Sequence, residues 1–580
     1  MHTISDDRRN PRYRFLEGLI GYTSLCSLLL MVLLTLWSPS FTAVFLIVFS
    51  LLWLLKYTLN VMYTIFSYRR LRRWEKLDWQ TFLQDVQDNP LQAQETLSRF
   101  ANAYRDKLNW ISEIETHKRG LAAVQGTKFA RPYDLYQLTT FSIYNEPPEV
   151  LEKSLVCLRD AGYPLDKLCV IVSQEARAGE TINRATQEYI EALPWVQSHE
   201  FSEADLEIVY ANHQDLAYQN KRAKNITLSS DRVNVIFTRH PDGLVGEIKG
   251  KASNEDWGTR QASLFLKARG IDPALALVTS LDADSHIGKY FFHNLAFGYL
   301  TCPDKLRAGF QPVHVYSNNF FDVQLIPRLI ATQTGLFNLT NLSLEGETPF
   351  FAIYSLSMAT LHEVDFWIRD VIAEDAMLFN KCLVHFQCDF KVYPFYGIFE
   401  GDAVEGDSFF EALAGQYKQL QRWAWGGVED FPYVYKNFFW TKQGQEIDLR
   451  LRLRWVYLKF SNHLFWSAAP LIFSLGLFLP SLIGGAEFRQ DPTSQNLAAF
   501  SSYFAWTSFV FIFIFGYITL FYFARKAKKG RALTWWEVLA ILIQFALSPF
   551  IFGFMGVPAL DAQIRGIRGH YLGYWVTPKS

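Results

Sequence analysis

Apolar residues gather at the two ends of this chain in long uncharged runs, and between them in short runs of strand length. The first long run reaches from Gly18 to Trp37 and the second from Phe41 to Phe66, with Ser38-Pro39-Ser40 between them. About 20 apolar residues in a helix cross a hydrocarbon core, so the pair predicts a transmembrane helical hairpin. No small-residue cleavage site follows the first run, which separates it from a removed signal peptide. Arg8, Arg9, Arg12 and Arg14 flank the hairpin on one side and Arg69, Arg70, Arg72 and Arg73 on the other. Basic flanks stay cytoplasmic. Lys56 inside the second run is costly in a bilayer; it either has a function or snorkels.

Long apolar runs return at His463 to Gly484 and Ala498 to Phe523, the latter followed by Arg525, Lys526, Lys528, Lys529 and Arg531. The last stretch, Leu533 to Leu560, is interrupted by Pro549, Gly553, Gly556 and Pro558. A single crossing there would carry Arg565, Arg568 and Lys579 outside, against the charge rule. A re-entrant hairpin keeps the C-terminus cytoplasmic, and broken segments are tolerated where protein or water lines them. Seven regions follow: a cytoplasmic N-terminus (1–17), a transmembrane hairpin (18–66), a helical linker (67–130), a cytoplasmic domain (131–440), an interfacial helix (441–462), a C-terminal transmembrane block (463–560) and an interfacial C-terminal segment (561–580). The expected placement is a multi-pass protein of the plasma (inner) membrane, with both termini and the central domain on the cytoplasmic side.

Within that domain the short apolar runs are Leu135–Ile143, Leu168–Val172, Val233–Thr238 and Ala274–Leu281, with helix-compatible segments between them. Strands alternating with helices predict an α/β fold with a mostly parallel sheet. Ligands of such sheets bind beyond the carboxyl ends of the strands. Polar clusters stand at those ends, at Asn145, Glu175 and Asp282.

Composition narrows the class. The 580 residues are 50% hydrophobic and 16% aromatic, which suits a chain that is part soluble and part membrane. A net charge of −1 offers no basic face for nucleic acid. The scattered cysteines contain no C-x-x-C pair, so reduced thiols are expected rather than a disulfide framework or a zinc site.

Three clusters in fixed order carry chemistry. Asp282-Ala283-Asp284 ends a strand and places two hard oxygen ligands where Mg²⁺ or Mn²⁺ can be shared with substrate phosphates. Glu374-Asp375 offers a carboxylate that can act as a general base once its environment raises its pKa. Gln419, Arg422 and Trp423 share one helix face, with a cation for a diphosphate and a flat ring for a sugar. Each also has a plainer structural role: a solvated turn, a helix N-terminal carboxylate favoured by the dipole, and a tryptophan packed in a core.

Together with Tyr144-Asn145-Glu146-Pro147 and Lys251-Ala252-Ser253-Asn254, these clusters resemble the family 2 glycosyltransferases of the processive type, the cellulose, chitin and hyaluronan synthases. The resemblance covers about Leu135 to Gly427, the membrane framing and the extreme C-terminus. It implies a GT-A fold for the domain, a nucleotide-sugar donor, expected to be a UDP-sugar, and inversion at the anomeric carbon. By the same resemblance Asn145, Glu146 and Lys251 contact the donor, Asp282 and Asp284 hold the metal, Asp375 with Glu374 carries the base, and Gln419, Arg422 and Trp423 serve acceptor and diphosphate. Tyr574-Trp575-Val576-Thr577-Pro578-Lys579 resembles the family's gating loop, so Thr577 and Lys579 are expected to cover the nucleotide as a lid. Two departures stand out. Ala373 replaces a threonine, and Ser173-Gln174-Glu175-Ala176 replaces paired aspartates, leaving Glu175 to meet ribose or base. The expected activity is hexosyl transfer to a growing β-linked glycan or a lipid-linked acceptor, with room for polymer translocation and accessory subunits. The alternatives are a non-processive transferase adding one sugar and, more remotely, a non-catalytic transporter or sensor that binds nucleotide sugar.

Overall fold

The computed structural model describes residues 3–104, 110–200, 206–211, 215–220, 228–344, 346 and 348–573. Its centre is a nine-stranded sheet beside a separate two-stranded hairpin. The strands are β1 (Tyr136–Ile143), β2 (Leu168–Glu175), β3 (Val196–Glu200), β4 (Leu206–Ala211), β5 (Asp215–Asn220), β6 (Val233–His240), β7 (Ala276–Leu281), β8 (His286–Ile287), β9 (Ala308–Tyr316), β10 (Tyr354–Ser357) and β11 (Lys391–Gly401). The large sheet runs in the order β3-β6-β2-β1-β7-β10-β9-β11-β8, and β4 pairs with β5.

β3, β6, β2, β1 and β7 are parallel to one another, β10 is antiparallel to both β7 and β9, and β9 is parallel to β11. Two reversals around β10 restore the original direction. The carboxyl ends of β1, β2, β6, β7, β9 and β11 therefore share one edge. The parallel strands are buried on both faces because both faces of the sheet are covered, and Leu168–Val172 of β2 reads as an unbroken apolar run. Leu168, Val170 and Val172 of β2 pack in one core with the helix Pro148–Arg159 and with Phe291 and Phe292 of Phe291–Thr301. Cys169 and Ile171 pack in the opposite core with Phe265 of the helix Lys251–Ala268 and Phe379 of Glu374–His385. Each fully buried phenylalanine contributes about 1.5–3 kcal/mol of transfer free energy.

Two helices, Pro11–Trp37 and Pro39–Trp74, are long and apolar enough to cross a membrane, with mean hydropathies of 2.2 and 1.9. Asn10 and Ser38 cap them, each followed by a proline at the first helical position, where no backbone donor is lost. The apolar block is tied internally: Ser24 Oγ lies 2.8 Å from Ser467 Oγ and donates to Gln563 Oε1 at 2.8 Å. One helix, Leu449–Leu471, runs across the position where the interfacial segment was divided from the membrane block, and it passes into a π-turn at Ile472–Gly476. The last apolar stretch forms two helices, Trp535–Ala546 and Ser548–Arg568, that break at Leu547.

Candidate functional site

The site lies on the shared carboxyl edge of the sheet. Gly250 ends an extended loop and the helix Lys251–Ala268 begins, which brings the Lys251 side chain to the end of β7. Its Nζ is 2.8 Å from Asp282 Oδ1, 3.3 Å from Glu374 Oε1 and 3.6 Å from Glu255 Oε1. Burial pulls the ammonium's pKa down, but the Asp282, Glu255 and Glu374 carboxylates outweigh it and hold Lys251 well above the ordinary lysine value. Glu255, one helical turn after Lys251, is fully enclosed and accepts from Ser280 Oγ on β7. Burial, with Glu374 nearby, raises its pKa to about 8 even against the attraction of Lys251.

Asp375 is held separately, in the first turn of Glu374–His385. Its Oδ2 accepts from the Ala352 amide at 2.8 Å and its Oδ1 from the Ala376 amide at 2.7 Å. Burial and the adjacent Glu374 raise its pKa to about 7, and the two amides only partly offset this. Ala352 sits at φ 55°, in the left-handed region that a residue with a Cβ rarely enters. Such a conformation costs on the order of 1–3 kcal/mol and persists where surrounding structure imposes it. Here it aims an amide at the carboxylate.

The helix bearing Asp375 has no side-chain cap of its own at Ala373. A distant residue takes that place. Glu429, 1% exposed, accepts from the Ile372 and Ala373 amides at 3.1 Å each and from Trp425 Nε1 at 3.1 Å. Burial raises its pKa to about 7.

Asp282 and Asp284 meet different surroundings. The Asp282 side chain is 42% exposed and faces Lys251. Asp284 lines a cavity of about 500 Å³ with Lys153, His286, Asn318, Asp322 and Glu405 among its walls. The Tyr316 phenol at the end of β9 connects them to the third cluster: burial, Asp282 and Asp284 raise its pKa while Arg422 opposes them. Arg422 lies on the helix Phe409–Ala424, whose Gln419 accepts from Gln416 Nε2 at 3.0 Å. Trp423 is half-buried against Leu329, Ile330 and Leu420.

The nucleotide-side residues are arranged as follows. Asn145 is exposed, and Glu146 accepts from the Tyr144 amide at 2.7 Å. Glu175, buried at the end of β2, forms an ion pair with Arg177, whose guanidinium stacks 4.1 Å above the Tyr144 ring. Asn254 donates to the Ser173 carbonyl at 2.9 Å, which fastens the helix of Lys251 to β2. Lys249 instead pairs with Asp242 in an exposed loop. Thr577 and Lys579 lie outside the described residues.

Among the described residues no group of three or more His, Cys, Asp and Glu side chains converges on a closed metal centre. Two carboxylates at one accessible edge suit Mg²⁺ or Mn²⁺, which bind through one or two protein carboxylates and complete their shell with phosphate and water.

No family model matches the chain. A search of curated proteins likewise returns no match. Solved structures with similarity include the mannosyltransferase PcManGT from Pyrobaculum calidifontis in complex with GDP-Man and Mn²⁺, at 15% identity and a TM-score of 0.36 over 79% of this chain and 99% of that one. Another is GalNAc-T7 with UDP, GalNAc and Mn²⁺, at 11% identity and a TM-score of 0.28 over 59% of this chain and 58% of that one. Likeness at this level places neither fold nor site, which rest on this chain's own residues.

Glu255, Ser280, Arg177 and Glu429 are not singled out by the sequence motifs. Glu255 had a legible signal, since it follows Lys251 by four residues on one helix face. Glu429 had none, because its partners Ile372 and Ala373 stand 57 and 56 residues away.

Proposed function

We propose that this protein is a membrane-embedded inverting glycosyltransferase that moves a sugar from a nucleotide-sugar donor, a UDP-sugar by resemblance, to a glycan acceptor. The observation that carries the reading is Asp375: a mostly buried carboxylate, held by two backbone amides, with its pKa raised to about 7. A group so tuned is half-ionised near neutrality and suits general-base work. Lys251, paired with Glu374 and Asp282, supplies the positive charge that a diphosphate leaving group needs close by.

In this reading each Asp375 oxygen keeps a lone pair beyond its amide bond. One of them accepts the proton of the acceptor hydroxyl as its oxygen attacks the anomeric carbon. Attack comes from the face opposite the departing diphosphate, so the configuration inverts. Lys251 and Arg422 meet the diphosphate as cations, and the Trp423 ring supports the acceptor sugar. Mg²⁺ or Mn²⁺ at Asp282 and Asp284, when bound, supplies positive charge to the leaving diphosphate. Thr577 and Lys579 would close over the nucleotide and exclude water. The hairpin and the late apolar block would hold the domain at the cytoplasmic face of the membrane and offer a growing β-linked chain a route across it.

The test is incubation of the purified protein and Mg²⁺ or Mn²⁺ with a panel of nucleotide sugars, following nucleoside diphosphate release. Release from one donor, lost in Asp375→Asn, is expected. Absence of release from every donor, with and without glycan and lipid-linked acceptors, would overturn the reading. A product limited to one added sugar would overturn polymerisation alone.

A further inference from the structure

The residue that caps the Asp375 helix is itself held from both ends of the chain. Arg8, in the segment before the first apolar helix, places Nη2 3.7 Å from Glu429 Oε1 and Nε 2.9 Å from Glu17 Oε1. Its guanidinium lies 4.1 Å above the ring of Tyr571, just after the last apolar helix. The Tyr571 hydroxyl donates to Glu17 Oε2 at 3.0 Å, and its ring meets Trp425 edge-on at 6.2 Å. Trp425 in turn donates to Glu429.

The N-terminal segment also grips the site loop directly. The Ser5 amide donates to Asp370 Oδ2 at 2.7 Å. Ile4 and Tyr13 pack in one cluster with Ala252, Val371 and Met377, neighbours in sequence of Lys251 and of the Glu374–Asp375 pair. The segments are fastened to the apolar block as well. Arg14 donates to the Gly566 carbonyl at 3.0 Å, and a Cβ on Gly566 would come within 2.8 Å of Val428, next to Glu429.

We propose that Arg8, Glu17 and Tyr571 form a clamp in which the two terminal segments together hold Glu429, so that Arg8 and Glu429 are positioning residues for Asp375. This rests on the reading of Asp375 as the base. Glu429 has three short backbone and indole bonds to hold, and it is fully enclosed. A carboxylate in such a place needs a partner cation against the cost of burial, and Arg8 supplies it. Loss of Arg8 leaves Glu429 protonated or displaced, its grip on the Ile372 and Ala373 amides weakens, and the first turn carrying Asp375 loosens. Misplacement of a reacting group by about 1 Å costs on the order of 100-fold in rate. Any movement of the first apolar helix against the last one passes through the same clamp to the base.

The test uses the full chain purified in detergent. Arg8→Met and its conservative partner Arg8→Lys are compared with wild type by hydrogen exchange of the peptide covering residues 370–378, and by kcat and KM for the donor. Expected in Arg8→Met are exchange about tenfold faster in that peptide, kcat lower by about 100-fold, and donor KM within about twofold. Arg8→Lys should recover most of both losses. Unchanged exchange with unchanged kcat overturns the clamp, as does a loss confined to donor KM. If Arg8→Met does not purify as a folded protein, Tyr571→Phe, which removes only the hydroxyl bonded to Glu17, carries the test. Faster exchange in 370–378 then supports the clamp and wild-type exchange overturns it. A wild type that transfers no sugar removes the proposed function, and the exchange measurement still decides the clamp.

Discussion

Asp282 and Asp284 close a strand; Glu374 and Asp375 open a helix. Both pairs are short acidic motifs, yet their surroundings differ in nearly every physical respect. The Asp282 side chain is 42% exposed against 11% for Glu374. Asp284, though only 8% exposed, lines the wall of a cavity, whereas Asp375 is gripped by two amides. A carboxylate in an enclosed site is forced toward neutrality and can hold and release a proton. The same residue type thus meets two environments by placement alone, and Lys251 joins the pairs through one ammonium.

The sharpest way to break this contrast is Asp375→Asn. The amide keeps the shape and can still accept from one of the Ala352 and Ala376 amides, but it cannot accept a proton from an attacking hydroxyl. Loss of a general base costs about 100- to 10,000-fold in rate, so kcat should fall by that factor with donor affinity kept, measured by nucleotide release and by donor binding. If transfer persists within a few-fold of wild type, the buried pair is not the catalytic one.

The next effect belongs to the strand-end pair. Asp284→Asn removes one hard ligand and half the negative charge that the strand end offers a cation. The Mn²⁺ concentration for half-maximal activity should rise by on the order of tenfold, and chelation should silence wild type. Asp375→Asn should leave Mn²⁺ binding, followed by the paramagnetic signal of the ion, unaltered. If both variants shifted the metal requirement alike, the two pairs would share one role.

pH separates the pairs more gently. Asp375, Glu429 and Glu255 are raised to about 7, 7 and 8. In the unfolded chain such groups ionise near 4. The folded state therefore keeps protons that the unfolded state has released. Their contribution to stability is full below about pH 4 and is lost as pH climbs through about 7 to 8. The unfolding midpoint of metal-free protein should fall between pH 6 and pH 8.5, with a shallower fall in Glu255→Gln. Activity moves the other way: kcat/KM should rise with pH up to a limb near 7 and then level off as Asp375 ionises.

How much of this could be read from the chain depends on distance along it. The strands at Leu168–Val172 and Val233–Thr238 announce themselves because burial on both faces demands mostly apolar residues. The half of the sheet beyond β7 does not. β9 contains Gln311 and His314, and β10 reads Tyr-Ser-Leu-Ser. Some of their polar groups are met by remote segments: Gln311 donates to the Phe351 and Ile353 carbonyls, and Thr279 bonds Ser355 across β7 and β10. The motif residues were visible as motifs. What tunes them was not, because the Glu429 cap and the Ala352 amide arrive from remote segments. The pairing of Glu175 with Arg177 was closer at hand, two residues on, yet no pattern in a single sequence marks it.

The smallest expected effect concerns Trp423, where packing and recognition overlap. Leu329, Ile330 and Leu420 hold one side of the ring. Trp423→Leu keeps an apolar side chain against them and removes the flat face that a sugar would meet. An aromatic face is worth about 0.5–1.5 kcal/mol beyond its buried area, which is roughly two- to tenfold in affinity. Acceptor KM should rise by that factor while donor KM and the metal requirement stay fixed. Acceptor KM equal to wild type with a lowered unfolding midpoint would make Trp423 a packing residue, and Gln419 and Arg422 would then be the members of its cluster left to face the substrate.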